Sequence, residues 1–315
     1  MADERWPELS YVAWKETRDT LHLWTQIVGK VRLALTPWLN HSWHVALYVT
    51  ARGLTTSPIP WQAGSFQIDF DFIDHVLWVR TSDGHFRQVV LKPTSVAEFY
   101  ADVTVALREL GITVPISAMP CEIPNGIPFD QDTVHRAYDP AYARAFWRVL
   151  ASTHEVFSRF RTGFLGKASP VHFFWGSFDL AVTRFSGRPA PKHPGGVPHL
   201  PDSVAQEAYS HEVSSAGFWP GGGGAPVEYA AFYSYAYPAP AGFADAAVKP
   251  AAALWSKELG EFLLPYDAMR KAGDPDAALM DFLVSTYEAA ANLAKWDRKA
   301  LECPIGECGT VRPLA

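Results

Sequence analysis

The spacing of apolar residues along the first third of the chain predicts a helix followed by antiparallel strands. In "TLHLWTQIVGKVRLAL" (20–35) large apolar side chains recur every three or four positions, which is typical of a helix with one buried face. "SFQIDFDFI" (65–73) alternates apolar and polar residues, as a strand with one buried face does. "HVLWVR" and "FRQVVL" flank a Ser-Asp-Gly-His turn and predict a hairpin. A second helix is predicted between Thr94 and Gly111.

The second part of the chain repeats this order of patterns. A helical segment over "PAYARAFWRVLASTHEVFSRF" precedes a strand-like stretch, and "EAYSHEVSSAGFW" with "VEYAAFYSYAY" predicts a hairpin around Gly221–Gly224. A last helix is predicted from Asp274-Pro275, a good N-cap followed by proline. The sequence therefore predicts an α+β fold of two similar halves, each an antiparallel sheet with flanking helices, and internal duplication is a hypothesis. The expected boundaries are 1–114, a Pro-rich connection at 115–139, 140–300, and a tail at 301–315.

Composition narrows the class of protein without naming an activity. The 315 residues are 48% hydrophobic and 19% charged, with a net charge of −6, so we expect a globular protein that does not bind nucleic acid. No apolar run is long enough to span a membrane, and "MADERWPELS" lacks the features of a secretory signal. Three cysteines fit a reducing compartment, and a cytoplasmic location is expected. The aromatic content of 14% fits either aromatic-walled pockets or a large β-rich core.

The stretch "VHFFWGSFDLAVTRF" (171–185) presents polar residues in apolar company. Apolar residues fall on both faces, which predicts one strand that is covered on both sides. His172, Asp179 and Arg184 interrupt it. In a continuous strand His172 and Asp179 would be roughly 20 Å apart and on opposite faces, so each is expected to find partners on neighbouring strands.

The predicted hairpin supplies such partners. If its strands pair with residue numbers that sum to about 445, Glu212 lies opposite Tyr233, and a one-residue slip places His211 there instead. If the three strands are neighbours, one sheet surface could collect seven polar residues: Asp179, Arg184, Tyr209, His211, Glu212, Tyr233 and Tyr235.

Two interpretations stay open for these residues. Asp179 either completes a buried hydrogen-bond network or has a perturbed pKa suited to acid–base chemistry. His211 and Glu212 are either a satisfied or surface pair, or they supply a general base or one ligand of a divalent metal. The metalloprotease motif is absent, because Ser215 stands where its second histidine would be. No nucleotide-binding or nucleophile-elbow motif occurs, so no cofactor is evident, although a divalent metal could bind at His211 and Glu212.

Two other segments carry histidines. His22, Gln26 and Lys30 lie one turn apart on the first helix and are expected to form a solvated polar strip. His193 and His199 lie in "PAPKHPGGVPHLPD", a Pro- and Gly-rich loop whose length suggests a lid or binding loop.

Several motifs in register resemble one uncharacterised bacterial family, known only as a domain of unknown function. They include "WPELSY", "TLHLWTQIVGKVRLAL", "LYVTARGLTTSPIP", "HFFWGSFDLAVTRFSGR", "YSHEVSSAGFWPG", "GEFLLPYDAMR" and "WDRKALE". The resemblance spans essentially the whole chain. It implies that one bacterial family domain fills the sequence, and it implies no activity.

The leading hypothesis is an enzyme that acts on a small organic molecule by hydrolase- or lyase-like acid–base chemistry in an aromatic-lined pocket. Asp179 or Glu212 would be the acid or base, His211 a base or metal ligand, and Tyr233 a hydrogen-bond donor. The predicted substrate-binding residues are Arg184, which would hold an anionic group, with Tyr209, Tyr235, Trp175, Trp219 and His172. The alternatives are a non-catalytic small-molecule binding or sensing protein, and a structural or interaction protein.

Overall fold

The computed structural model describes residues 5–222 and 227–312, which contain seven helices and twelve strands. The first half begins with a long helix, continues through six strands and ends with a second helix. In chain order its elements are α1 (Tyr11–Leu35), β1 (Tyr48–Val49), β2 (Gly53–Thr55), β3 (Ile59–Trp61), β4 (Gly64–Asp71), β5 (Val76–Thr81), β6 (Phe86–Val90) and α2 (Val96–Glu109). Within the described residues no helix is long and apolar enough to cross a membrane.

The second half follows the same plan with longer strands. Its elements are α3 (Pro140–Thr162), β7 (His172–Phe174), β8 (Asp179–Pro189), α4 (Asp202–Ala208), β9 (His211–Trp219), β10 (Ala231–Tyr237), β11 (Leu254–Ser256), β12 (Glu261–Pro265), α5 (Tyr266–Arg270), α6 (Pro275–Leu293) and α7 (Arg298–Leu301). The helix ends follow local chemistry. Asp139 and Asp274 each accept backbone N–H bonds at an N-cap before a proline, and Ser95 forms a capping box with Glu98.

Each half contains one antiparallel sheet of six strands. The first sheet has the order β1-β2-β4-β5-β6, with β3 also paired to β4, and the second has the order β11-β12-β10-β9-β8-β7. The sheets meet where Leu47, beside β1, exchanges two backbone hydrogen bonds with Phe173 of β7. The first strands of the two halves are therefore antiparallel neighbours.

Helices cover one face of the second sheet. α3 packs against β8, and α6 packs against β9 and β10. On that face the Phe157 ring of α3 lies edge-on to Phe232 of β10. Because side chains alternate along a strand, the odd-numbered residues of β8, β9 and β10 point to the opposite face, where the polar residues gather.

The predicted α+β class, with antiparallel sheets and flanking helices, is confirmed. Both halves run from a helix through a six-stranded sheet to a closing helix, and this shared layout suggests an internal duplication. The predicted hairpins of β5 with β6 and of β9 with β10 are present. Part of the Gly221–Gly224 turn lies outside the described residues.

Two details of the predicted strands are wrong. Residues 171–185 form a hairpin rather than one strand, because the chain turns at 175–178 with Phe178 in the left-handed region (φ 63°). His172 consequently pairs with Ala181, two residues from Asp179 and on the same face of the sheet. The β9–β10 register is also different, since paired residue numbers sum to 450 and Gly217 lies opposite Tyr233.

Candidate functional site

Asp179, the first residue of β8, is a buried carboxylate held by two hydroxyl groups. Its side chain accepts a hydrogen bond from Ser177 Oγ at 2.6 Å and another from the hydroxyl of Tyr233. Only 5% of the residue is exposed. Burial raises the pKa of Asp179, and the two hydroxyl donors oppose that shift only in part.

Tyr233 reaches Asp179 because the strand between them carries a glycine. β9 lies between β8 and β10, and its Gly217 pairs with both Ala181 and Tyr233. The phenol ring of Tyr233 lies where a Cβ on Gly217 would be. Gly217 thus opens a path across the middle strand, which joins residues of two strands that are not neighbours.

A wall of tyrosines continues from this bond. The rings of Tyr233 and Tyr235 are stacked at 6.0 Å, and the hydroxyl groups of Tyr235 and Tyr209 lie 2.9 Å apart. Burial raises the pKa of all three phenols, so they remain protonated donors at neutral pH. Ser215 and Thr183, on the same face, are joined by a hydroxyl–hydroxyl bond of 2.8 Å.

Two glutamates that the sequence analysis did not single out approach Asp179. Glu122 lies on the loop after α2, and Glu261 is the first residue of β12. Burial and then the charge of Asp179 raise the pKa of each to about 7. Within the described chain, none of these three carboxyl groups forms an ion pair with Lys or Arg. We call Glu122, Asp179, Tyr209, Tyr233, Tyr235 and Glu261 the carboxyl–tyrosine site.

Glu122 is positioned by α1. Gln26 receives the backbone N–H of Cys121 at 2.8 Å and donates to the carbonyl of Cys121 at 2.9 Å. Lys30 donates to the carbonyl of Met119 at 2.7 Å. The Glu122 carboxylate then lies over Gly176, in space that a Cβ would occupy. The expectation of a solvated strip on α1 is therefore wrong: these side chains are buried and hold the loop that carries Glu122.

His22 holds the backbone of Gly176, the residue that the Glu122 carboxylate contacts. Its Nε2 donates to the carbonyl of Gly176 at 2.8 Å, and its ring stacks on Phe178 at 4.9 Å. Burial, followed by the Arg18 charge, lowers the pKa of His22 to about 3. A neutral imidazole therefore orients the turn that precedes Asp179.

The Pro- and Gly-rich loop before α4 contacts the site from above the sheet. The backbone N–H of Glu122 donates to the Pro198 carbonyl at 2.8 Å. The ring of His193 stacks on Tyr209 at 4.6 Å, and the Tyr237 hydroxyl donates to the carbonyl of Pro191. The loop predicted as a lid thus lies beside Glu122 and the tyrosine wall.

Of the seven residues expected to converge, four do, and three lie elsewhere. Arg184 lies on the helix-covered face, where its Nη2 donates to the carbonyl of Phe160 and its guanidinium lies over the Tyr287 ring. Its even position in β8 points away from Asp179, so the predicted grip on a substrate anion at this site is wrong.

His211 and Glu212 lie at the far end of β9. Glu212 forms an ion pair with Arg188 at 2.6 Å, and the His211 ring contacts Ser210 and the His41 ring. Neither residue contributes to the polar cluster at Asp179, so the structure does not support them as its acid, base or metal ligands. Among the described residues no group of three or more His, Cys, Asp or Glu side chains is arranged to hold a metal ion.

Of the three remaining residues that were predicted to bind substrate, two lie on the same face as Asp179 and one does not. Trp219 is an odd-numbered residue of β9 and so points to the same face of the sheet as Asp179. His172 lies on that face but is packed against Trp43 and Phe174, and burial lowers its pKa to about 3. Trp175 packs over Gly29 of α1 instead, and its indole N–H donates to the carbonyl of Val45.

Comparison with known proteins places the chain in a family. The profile described as a family of unknown function, DUF5996, matches residues 6–303, so the chain belongs to that family. The resemblance to a domain of unknown function that spans essentially the whole chain is confirmed. No curated protein and no solved structure matches the chain.

Proposed function

We propose that the chain is an enzyme that acts on a small organic molecule by acid–base chemistry at the carboxyl–tyrosine site. The observation that carries the proposal is Asp179, a buried carboxylate hydrogen-bonded to Tyr233 and Ser177, with two further carboxyl groups beside it. A general acid or base is most effective when its pKa is close to the working pH. Glu122 and Glu261 meet this condition at neutral pH.

The roles follow from the surroundings of each group. The two hydroxyl donors favour the charged form of Asp179. Burial, and then the charge of Asp179, raises the pKa of Glu122 and Glu261 and so favours their protonated forms. Each glutamate can therefore donate or accept a proton, while protonated Tyr209 and Tyr235 donate hydrogen bonds to a developing negative charge. Hydrolysis and elimination both require this combination of proton donor, acceptor and oxyanion partner.

A non-catalytic binding protein is the second candidate. It is favoured by the three carboxyl groups with no paired Lys or Arg in the described chain, beside stacked tyrosine rings. Such a site suits a ligand with an ammonium group, which carboxylates and aromatic faces both attract.

One experiment separates the two candidates. The purified protein and D179N are each incubated with a filtered small-molecule extract of bacterial cells, and the compounds are followed by mass spectrometry. The enzyme hypothesis expects a compound that the wild type consumes and D179N does not. The control D69N changes a carboxylate of the first sheet that accepts from Arg80, and it should behave as the wild type.

A compound that the wild type retains through desalting and releases unchanged would favour the binding protein instead. If the wild type neither consumes nor retains any compound in an Asp179-dependent way, both candidates fail.

A further inference from the structure

We propose that a cavity beside α1 binds the anionic head group of a small organic molecule through Arg18. The cavity has a volume of about 460 Å³ and lies between the first turns of α1 and the segment 123–127. We call it the Arg18 cavity. Its size is that of pockets that hold drug-sized ligands.

Arg18 has hydrogen-bond donors to spare. Only 2% of the residue is exposed, and its Nη1 donates to Asp19 at 2.8 Å. Its Nε and Nη2 are buried and have no partner in the described part of the chain. These two N–H groups are parallel on one edge of the guanidinium, which matches the two oxygens of a carboxylate or phosphate.

Phe178 and Asp19 hold the Arg18 side chain in place, and neither accepts a hydrogen bond from its Nε or Nη2. The Arg18 Cζ lies 5.4 Å from the centre of the Phe178 ring, and Asp19 holds the opposite side of the guanidinium. A buried charge with unused donors lowers stability unless something supplies the acceptors. An oxyanion bound at the Arg18 cavity would supply them.

The acidic residues of the cavity wall do not fill this role. Asp132 is occupied, because it accepts from the backbone N–H groups of Val134 and His135 and from the ring of His135. Glu228 is exposed. Asp19 already binds Nη1. Lys15, also exposed, adds a second positive charge to the lining.

The rest of the lining indicates the body of the ligand. Leu23, Ile123, Ile127 and Tyr11 contribute apolar or aromatic surface. A small molecule with an aromatic or aliphatic body and one carboxylate or phosphate group fits this combination. The inference is independent of the proposed function, because none of these residues belongs to the carboxyl–tyrosine site.

Calorimetric titration tests the proposal with three probes that share a phenyl ring: benzoate, phenyl phosphate and neutral benzamide. We expect at least one anion to bind ten times or more tightly than benzamide, and the tighter anion identifies the head group. In R18M that affinity should fall by about tenfold to a hundredfold, as expected for losing a charged hydrogen-bonded pair. R18K, which keeps the charge without the parallel N–H pair, should lose about tenfold.

K15M is the matched control, because it removes a charge from the same cavity at an exposed position, and it should change affinity by less than about threefold. D179N should bind the anion as the wild type does, which separates this site from the proposed function. Thermal unfolding shows whether R18M remains folded, and R18K decides the question if it does not. The proposal is overturned if neither anion binds better than benzamide, or if the folded Arg18 variants bind as tightly as the wild type.

Discussion

The two sheets treat their acidic residues in opposite ways. On the first sheet, Asp69 pairs with Arg80 at 2.8 Å and Asp71 pairs with Arg52 at 2.6 Å, and both arginines are about half exposed. Burial alone would raise the pKa of Asp71, but Arg52 and two backbone N–H groups outweigh it and lower that pKa. On the second sheet, Asp179 has only hydroxyl partners, and its pKa is raised.

The two faces differ in the partners that they give their carboxylates. Asp71 is as buried as Asp179, but the first sheet supplies Asp71 and Asp69 with half-exposed arginines that neutralise them. The second sheet is covered by the loop that carries Glu122 and by the loop that contains Pro198, which are joined by a backbone hydrogen bond. A sheet face that is covered by loops and, among the described residues, has no arginine beside its carboxyl groups raises the pKa of Glu122 and Glu261 to about 7. These groups can therefore exchange protons near neutral pH.

The largest loss in the free energy of unfolding should come from replacing Gln26, whose side chain holds the loop that carries Glu122. Q26L removes both hydrogen bonds to the backbone of Cys121 and leaves a buried N–H and a buried C=O unpaired. We expect a loss of about 4 kcal/mol in the free energy of unfolding, measured by urea denaturation. The control Q88L, at an exposed position of the first sheet, should change it by less than about 0.5 kcal/mol. Equal losses in both variants would show that Gln26 has no special part in the cover.

A smaller loss in the free energy of unfolding is expected when a methyl group is added at Gly217 of β9, where the Tyr233 ring lies. In G217A the added methyl group meets the Tyr233 ring and displaces it from Asp179, at a cost of about 1–3 kcal/mol by denaturation. G273A is the control, because a methyl group added at Gly273 would meet no atom of the described residues within 4 Å. If G217A is as stable as the wild type, Tyr233 does not depend on that gap.

The second sheet should also make stability depend on pH. The folded-state pKa of Glu122 lies at about 7, above its unfolded value near 4.5, so the folded state holds the proton more tightly between these values. Stability is therefore full below about pH 4.5 and falls as the pH rises towards 7. E122Q should match the wild type at pH 4 and exceed it by about 1–2 kcal/mol at pH 8. A wild type that gains stability over this range would contradict the raised pKa.

The smallest effect tests the coupling between carboxyl groups. In D179N the loss of one negative charge should lower the pKa of Glu122 and Glu261 by about half a unit to one unit, measured by ¹³C NMR titration of the carboxyl carbons. D69N, on the first sheet, should leave both values unchanged. Unchanged values in D179N would mean that burial alone raises them.

The sequence predicted the elements well and the site in part. Periodicity and capping residues located α2, α3 and α6, because these signals are local in the chain. Asp179, Tyr209, Tyr233 and Tyr235 were identified because polar residues in apolar strands stand out. Their companions were missed for different reasons. Glu261 begins the apolar stretch "EFLLP", a signal that could have been used. The position of Glu122 depends instead on the hydrogen bonds between Gln26 and Cys121, which are 95 residues apart along the chain.

The turn at 175–178 explains the remaining errors. Apolar residues on both sides of Gly176 look like one strand, and only the pairing of β7 with β8 reveals the reversal. Arg184 and His211 were placed near Asp179 because three strands were assumed to bring all their polar ends together. The actual register separates them by face and by distance along the strand.

The burial of α1 has a consequence for how the chain is made. Gly29 of this helix packs against the indole of Trp175, which lies in the second half and is therefore synthesised after α1. Until Trp175 is made, this flank of α1 lacks its partner. The first half therefore completes its folding only when the second half has been synthesised.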